Sequence, residues 1–277
     1  MKKRGKPRWT LYVRYILLAL FLIWTLFPLY WMLSMSTKEK TDILAIPPKW
    51  FFVPVLKNYL EVLQRGEFLR GFYNSTVIGL LATLLSLIIG VPAAYVLSRF
   101  HFKGRENLEF WVLSTRMMPP VVVLIPYFLF FRSLNLMDTK LAVVLMHTVI
   151  GLPLVIWFMR GYFMEIPGAL EEAALVDGCT YWSAFTRIIL PTTFTGVVAV
   201  GILTFLFSWN EFLISLILTS YNSKTAPVTV YNFISFQEIA WGPLTAAGII
   251  VLIPVIVFVM LVQRDLVRGM TLGAVKE

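Results

Sequence analysis

The residues with the clearest chemical pattern lie between positions 165 and 191, where carboxylates, alanines and one glycine follow closely. Glu171 and Glu172 suit the positive N-terminal end of a helix. Gly178 can adopt the left-handed conformation that ends such a helix, and Thr180 can cap the next one. The pattern predicts a helix, a tight glycine turn and a second helix.

One face of the first predicted helix is small and acidic. By helical spacing, Leu170, Ala173, Ala174 and Asp177 share this face. Small side chains let a partner approach closely, and carboxylates offer it charge. The segment could also be an ordinary solvated connection or an amphipathic helix on lipid. Its acids would be repelled by anionic inner-leaflet lipid, so the pattern favours docking to a cytoplasmic protein.

Sequence signals of catalysis are missing from the chain. There is no G-x-x-x-x-G-K-[ST] run and therefore no phosphate-binding loop. His101 and His147 are the only histidines and lie far from any metal-ligand spacing, and no nucleophile elbow occurs. We expect no catalytic residue, bound metal or cofactor in this chain.

The elements that position these residues are apolar. The 277 residues are 58% hydrophobic and 14% charged, whereas an average soluble domain is about a quarter charged. A bilayer takes roughly 20 helical residues to cross. Because the apolar runs do not alternate as β-barrel strands do, we predict an all-α integral membrane protein, one transmembrane domain over 1–277. Its six helices lie near 12–35, 72–97, 110–131, 139–160, 194–219 and 243–262.

The net charge of +9 indicates topology rather than nucleic-acid binding. Basic residues flank the short segments on the side of both termini, and such residues mark the cytoplasmic face. Both termini and the 161–193 segment are therefore predicted to be cytoplasmic, with longer outer loops at 36–71 and 220–242. The first outer loop should be helical from Lys57 to Gln64. Cys179 is the only cysteine and has no disulfide partner in the chain.

The third predicted span is the weakest, because Arg116 and the pair Pro119–Pro120 interrupt it. With Met117 and Met118 between them, these residues predict a broken helix. Broken helices at membrane depth occur where they are buried in protein or line water, so a gate is one interpretation.

The 161–193 segment resembles the EAA loop of bacterial ATP-binding-cassette importer permeases, which reads E-A-A, three residues, G, nine residues, I-x-L-P. The positions in register are Glu172, Ala173, Ala174, Gly178, Ile188, Leu190 and Pro191. In that family the loop is the coupling helix that sits in a groove of the ATPase subunit. The resemblance implies an ATPase-coupling surface made of Glu172, Ala173, Ala174, Asp177, Gly178, Phe185, Ile188, Leu190 and Pro191.

Further motifs extend the resemblance over nearly the whole chain. Phe72–Ser75 resembles the family's F-x-N-S, and Trp209–Glu211 resembles W-N-[DE]. The ending Gln263–Glu277 is similar to the tail of the MalG-type branch of carbohydrate permeases. Met270, Leu272 and Glu277 depart mildly from that tail.

The resemblance implies a type I importer permease in the bacterial inner membrane. Such a chain forms half of a translocation pathway with a second homologous permease. Two ATPase subunits hold ATP and magnesium, and an extracytoplasmic sugar-binding protein delivers the substrate. The 220–242 loop matches the one that reaches the binding protein, through Tyr221, Asn222, Ser223, Lys224 and Thr225.

Residues that could line the pathway are polar or flexible groups within spans. Glu211 is ionisable, and such groups usually face a cavity or a partner. Asn210 could bond a sugar hydroxyl and Trp209 could stack on a pyranose, or the three could only pack and tie helices together. Asn74 could equally mark an interfacial helix start. The predicted path residues are Asn74, Met117, Met118, Trp209, Asn210 and Glu211.

Two other functions are weighed against the importer. An intramembrane enzyme would need paired acids, histidines or a serine–lysine pair in the spans. A proton-driven carrier would use Glu211 as its relay. The sequence does not identify the sugar: relatives in this branch carry oligosaccharides, disaccharides, polyols, monosaccharides or glycerol phosphate.

Overall fold

The computed structural model describes residues 8–235 and 238–272. The basic residues before Arg8 and the tail motif beyond Leu272 lie outside the described residues. The described part is helical, with one isolated β-bridge between Ile234 and Ile239, which confirms the all-α prediction. Its α-helices are α1 (Arg8–Ser36), α2 (Lys40–Ile43), α3 (Lys57–Gln64), α4 (Gly66–Arg99), α5 (Arg105–Ser114), α6 (Pro120–Ser133), α7 (Lys140–Glu165), α8 (Ala169–Val176), α9 (Tyr181–Ala184), α10 (Leu190–Thr192), α11 (Phe194–Trp209), α12 (Leu213–Leu218), α13 (Ala226–Tyr231) and α14 (Trp241–Leu272), with a π-helix at Phe185–Ile189 between α9 and α10.

Four described helices are long and apolar enough to cross a membrane: Leu11–Ser36, Gly66–Arg99, Lys140–Glu165 and Trp241–Leu261. They coincide with the first, second, fourth and sixth predicted spans. A fifth arises if the pair Tyr181–Thr192 and Phe194–Trp209, bent by 76°, is taken as one span. The count of six stays a prediction. The helix predicted at Lys57–Gln64 is confirmed as α3.

The third and fifth predicted spans are each divided. α5 ends at Ser114 and α6 begins at Pro120, because Pro119 is extended and a proline disfavours helix in the residue before it. This is the broken helix that the prolines predict. α11 ends at Trp209 and α12 begins at Leu213, a break that no proline or glycine announces.

The described residues fall into two compact units, drawn from Met1–Gly66 with Val230–Leu252 and from Glu67–Thr229 with Ile253–Glu277. The single domain over 1–277 stays a prediction. In the first unit, the Asn58 amide donates to the carbonyls of Ser36 at 3.0 Å and Lys38 at 2.9 Å. These bonds fix the chain where α1 ends.

The second unit contains every candidate site residue. One buried apolar cluster joins α4, α6, α7 and α12, and another joins α4, α7, the π-helix and α11. Gly151 lets α7 pack closely on its neighbours, since an added Cβ would lie 2.8 Å from Ser86 Oγ and 3.0 Å from Thr204 Cγ2. Helix packing in a membrane relies on such small residues.

Candidate functional site

The 161–193 segment has the predicted local geometry. α8 ends in a turn at Gly178, whose φ of +86° only glycine adopts without strain. The Cys179 N–H donates to the Ala174 carbonyl at 3.0 Å and closes the helix end. The Thr180 hydroxyl then accepts from the Ser183 N–H at 3.2 Å and caps α9. The helix, glycine turn and second helix are therefore present.

The exposed face of α8 differs from the predicted one at a central position. Glu172, Ala173 and Asp177 are exposed, and Val176 is 87% exposed. Ala174, however, is buried against its own chain at 3% exposure. Ala174 therefore faces its own chain on the strip that anchors the helix, and its predicted contact with a partner stays a prediction.

Glu171 holds that inward strip and was missed by the sequence reasoning. Its carboxylate accepts from the Tyr95 hydroxyl at 2.5 Å and lies 3.1 Å from Arg99 Nε. Arg99 also donates to the Ile166 carbonyl at 2.9 Å. The Tyr95 bond spans 76 residues of chain, so no local pattern announced it. A buried charge must be paired, and this pairing fixes α8 to the end of α4.

The second half of the segment is also anchored. Phe185 is 2% exposed, and its ring lies 4.6 Å from that of Tyr95 and 6.2 Å from that of Phe163. Ile188 and Leu190 pack partly buried against the same cluster, while Pro191 is exposed. Phe185, Ile188 and Leu190 therefore hold the segment in place rather than forming an open contact surface.

The 220–225 part of the second predicted loop is bound to Asp138, which lies between α6 and α7. Four consecutive N–H groups donate to its carboxylate, those of Ser220, Tyr221, Asn222 and Ser223, at 2.9–3.2 Å. The side chains of Asn222 and Ser223 add bonds of 3.0 Å each. Asp138 was not a sequence candidate. Most of its partners are backbone N–H groups, which do not depend on residue type, so the sequence gives no sign of this contact.

These bonds set the charge state of Asp138. Burial raises the pKa of its carboxyl, but the backbone hydrogen bonds from Asn222, Ser220, Ser223 and Tyr221 lower it more. The pKa therefore lies well below its usual range, and the group is a carboxylate at neutral pH.

Asn74 holds the same loop from its carbonyl side. Its side-chain amide donates to the carbonyls of Asn222 and Lys224, both at 2.9 Å. Ser75 Oγ accepts from the Ala226 N–H at 2.8 Å. Asn74 is 3% exposed, so the structure assigns it to the loop and not to an open path. Its alternative interpretation, a structural role at the start of a span, fits this geometry.

The loop residues differ in exposure. Tyr221 is 61% exposed, with the Arg70 guanidinium 4.7 Å from its ring, and Asn222 is exposed too. Lys224 pairs with Glu67 at 2.7 Å. Ser223 and Thr225 are buried at 1% and 2% exposure. The side chains of these last two residues pack inside the chain, and their predicted contact with a partner stays a prediction.

Glu211 joins a polar cluster at the break between α11 and α12. Its carboxylate accepts the N–H groups of Ile214 at 2.8 Å and Ser215 at 3.0 Å, which begin α12. His147 lies within α7, with Nε2 3.2 Å from Glu211 and Nδ1 2.7 Å from Ser208 Oγ. This arrangement ties helices together, one of the two interpretations of Glu211. His147 was not predicted to belong to it.

The other predicted path residues differ in their surroundings. Trp209 is 1% exposed, with its ring 5.2 Å from Phe72 and 5.7 Å from Phe205. Asn210 is exposed and donates to the Leu206 carbonyl at 2.8 Å. Met117 is 76% exposed and Met118 44% exposed on the α5–α6 break. For Trp209 the packing interpretation fits the structure.

Comparison with known proteins supplies the family. Residues 82–272 match the model of the family described as binding-protein-dependent transport system inner membrane component. The chain belongs to this family. It is accordingly a multi-pass permease component of the inner membrane, in agreement with its apolar helices.

Relatives of this permease are similar over nearly their full length. The trehalose transport system permease protein SugB of Mycobacterium tuberculosis (strain CDC 1551 / Oshkosh) is 36% identical over 260 residues, 91% of this chain and 93% of SugB. The trehalose/maltose transport system permease protein MalG of Thermococcus litoralis is 33% identical over 280 residues, 100% of this chain and 99% of MalG.

Two solved structures share the fold of the permease. A bacterial ABC transporter involved in the import of the acidic polysaccharide alginate has a TM-score of 0.78 at 23% identity, covering 95% of this chain and 99% of that one. An alginate transporter in complex with its pentasaccharide-bound periplasmic protein has a TM-score of 0.70 at 19% identity, covering 92% of each chain. These confirm the importer permease fold.

The family match covers both the 161–193 segment and the 220–225 loop of the permease. Asp138, the 161–193 segment and the 220–225 loop all fall within residues 82–272. Asn74 precedes the matched region, so its role is visible only in the hydrogen bonds that it makes.

Proposed function

We propose that this permease is one membrane subunit of an ATP-driven importer that receives a sugar from a binding protein. The proposed coupling to ATP hydrolysis rests on how α8 is anchored to the rest of the chain. Glu171, Ala174 and Phe185 are buried in the chain, while Glu172, Ala173, Val176 and Asp177 are presented outward. A surface held so firmly can transmit force from a partner.

The partner of that surface is a separate ATPase subunit. Two such subunits hold ATP and magnesium, and this chain contributes no catalytic group, metal ligand or cofactor site of its own. The absence of a phosphate-binding run from the sequence supports this division of labour. A second homologous permease supplies the other half of the pathway.

The substrate class is a sugar, supported by the trehalose and maltose named for the relatives. An extracytoplasmic binding protein delivers it to the 220–225 loop, where Tyr221 and Asn222 are exposed. The alginate transporter, which has the same fold, is solved with such a protein.

Charge reversal on α8 tests the coupling surface. Glu172→Lys places a like charge against a groove that accepts an acid, where desolvated like charges cost several kcal/mol. Glu165→Lys makes the same reversal at an exposed position outside the presented face. We expect the ATPase subunit to co-purify with the Glu165 variant and to be lost from the Glu172 variant, together with uptake. Equal retention by both variants would contradict the docking assignment.

Both termini are proposed to face the cytoplasm, with 36–71 and 220–242 outside. In a Cys179→Ser background, a cysteine at Phe51, a position that is 96% exposed, should react with an impermeant thiol reagent in intact cells. A cysteine at the exposed Lys103 should react only after lysis. The reverse pattern would overturn the topology and leave the family assignment intact.

A further inference from the structure

The backbone of the 220–225 loop is held through its N–H groups by Asp138 and through its carbonyls by Asn74. The Asp138 carboxylate accepts hydrogen bonds from the N–H groups of residues 220–223. The Asn74 side-chain amide donates to the carbonyls of Asn222 and Lys224. We call these two residues the loop clamp. Backbone groups in a free loop would instead bond to water and leave the chain mobile.

The backbone of Asp138 is itself fixed by neighbouring helices. Its φ is +56° and its N–H donates to the Leu218 carbonyl at 2.9 Å. The next residue, Thr139, caps α7 by accepting the Ala142 N–H at 3.3 Å. The backbone of Asp138 is thus fixed between the start of α7 and the end of α12, and its carboxylate binds the loop.

The loop clamp contacts the buried side of the loop. Ser223 is 1% exposed and donates its hydroxyl to Asp138 at 3.0 Å. Tyr221, in contrast, is 61% exposed, with the Arg70 guanidinium 4.7 Å from its ring and a bond of 3.2 Å between Arg70 Nη2 and the phenol oxygen. The side available to a partner is therefore distinct from the side that is held.

We propose that Asp138 and Asn74 are positioning residues for substrate delivery, which fix the loop in the conformation that meets the sugar-loaded binding protein. This inference rests on the proposed function of the loop. A loop that must be ordered on binding costs conformational entropy for every residue fixed. A loop already held by the clamp avoids that cost, so the binding protein is recognised at lower concentration.

Asp138→Asn is the main variant, because it keeps the size of the side chain and replaces an acceptor oxygen by an N–H donor facing other donors. Ser223→Ala is a milder second variant that removes one hydroxyl from the buried side. Glu61→Gln is the matched control: it also removes one acidic charge, from a residue of α3 that forms an exposed pair with Arg65 and belongs to the first compact unit.

The first readout is backbone hydrogen exchange at 220–223 in the whole assembled transporter. We expect exchange to rise about tenfold in Asp138→Asn, about threefold in Ser223→Ala and not at all in Glu61→Gln, since hydrogen bonds to charged groups are the strong ones. If the Asp138 variant does not assemble, the Ser223 variant gives the answer. Exchange equal to that of the unchanged chain overturns the clamp.

The second readout is ATP hydrolysis by the transporter as its own binding protein is titrated, the binding protein carrying the sugar with which it purifies. The half-maximal concentration should rise about tenfold in Asp138→Asn and about threefold in Ser223→Ala, in proportion to lost loop order. Faster exchange with an unchanged half-maximal concentration would reduce the clamp to a structural feature and overturn the proposal.

A third variant separates this inference from the function on which it rests. Shortening the loop by Asn222–Thr225 removes the contact itself. If that variant responds normally to the binding protein, the proposed role of the loop is wrong. If it loses the response while Asp138→Asn keeps it, only the positioning role is wrong.

Discussion

Two surface segments of this permease, α8 with its glycine turn and the 220–225 loop, are each fixed by one carboxylate, but in opposite senses. α8 sends its own Glu171 inward to Tyr95 and Arg99. The loop instead receives Asp138 from elsewhere in the chain, through the N–H groups of its backbone. The first segment is therefore held by its side chains and the second mainly by its main chain, to which the side chains of Asn222 and Ser223 add one bond each.

This difference determines which positions in each segment can be substituted without loss of the anchoring contacts. In α8 the inner positions are committed, and recognition falls to outer side chains such as Glu172 and Ala173. In the loop, any residue except proline offers the N–H that Asp138 requires. Its outer side chains, Tyr221 above all, are free to suit a partner.

Breaking the α8 anchor should have the largest effect. Glu171→Gln leaves Arg99 without a charge partner, where the two side chains are 8% and 15% exposed. Breaking one side of a buried pair costs about 3 kcal/mol or more. The assembled transporter should unfold at a clearly lower temperature.

Glu172→Gln is the control for this prediction. It makes the same change one residue along, on the exposed face, and should alter stability by about 0.5 kcal/mol or less. Equal unfolding temperatures for the two variants would mean that Glu171 does not hold α8.

The glycine turn should give the next largest effect. Gly178→Ala meets open space, with no atom within 4 Å of the added Cβ, so the cost is one of backbone conformation alone. At φ +86° that cost is about 1–2 kcal/mol. Loosening of the turn should weaken retention of the ATPase subunit, measured by co-purification.

Gly168→Ala separates strain from bulk. Its Cβ also meets open space, but its φ is −58°, which alanine adopts readily. This variant should be as stable as the parent or slightly more stable. A loss equal to that of Gly178→Ala would show that the turn is not the source of rigidity.

The loop carboxylate should give an effect that depends on pH. Because bonding depresses the pKa of Asp138 in the folded chain, its stabilisation is fully present above the ordinary carboxyl value of 3.8. It is lost as the pH falls towards the lower folded pKa. The difference in unfolding temperature between parent and Asp138→Asn should be constant near neutrality and shrink below about pH 4. A difference that does not change with pH would contradict this assignment of the stabilising charge.

The sequence predicts local features of this molecule well and distant pairings poorly. Gly178, Thr180 and the prolines at 119–120 act on their own backbone, and the structure has the turn, the cap and the helix break where they lie. Glu171 and Asp138 act on partners far along the chain. The residue types and spacing around them therefore give no sign of the pairing.

The same distinction explains why three predicted site residues are buried. Ala174, Ser223 and Thr225 lie in motifs or loops whose partner contacts are expected, but exposure depends on which side the anchor takes. That side is chosen by Glu171 in α8 and by Asp138 in the loop. The break at Glu211 is similar, because it follows from a side chain that caps α12 and not from a helix-breaking residue.

The smallest effect should come from Tyr221→Phe. This change removes the bond from Arg70 Nη2 to the phenol oxygen, which is 3.2 Å long and solvent-exposed, and keeps the ring over the guanidinium. Exposed pairs contribute about 0.2–1 kcal/mol, so the unfolding temperature should barely move. If the loop is held by its main chain, hydrogen exchange at 220–223 should stay as in the parent, while Tyr221→Ala changes the response to the binding protein without changing exchange. Faster exchange in Tyr221→Phe would mean that the loop depends on its side chains as α8 does, and the contrast between the two segments would be lost.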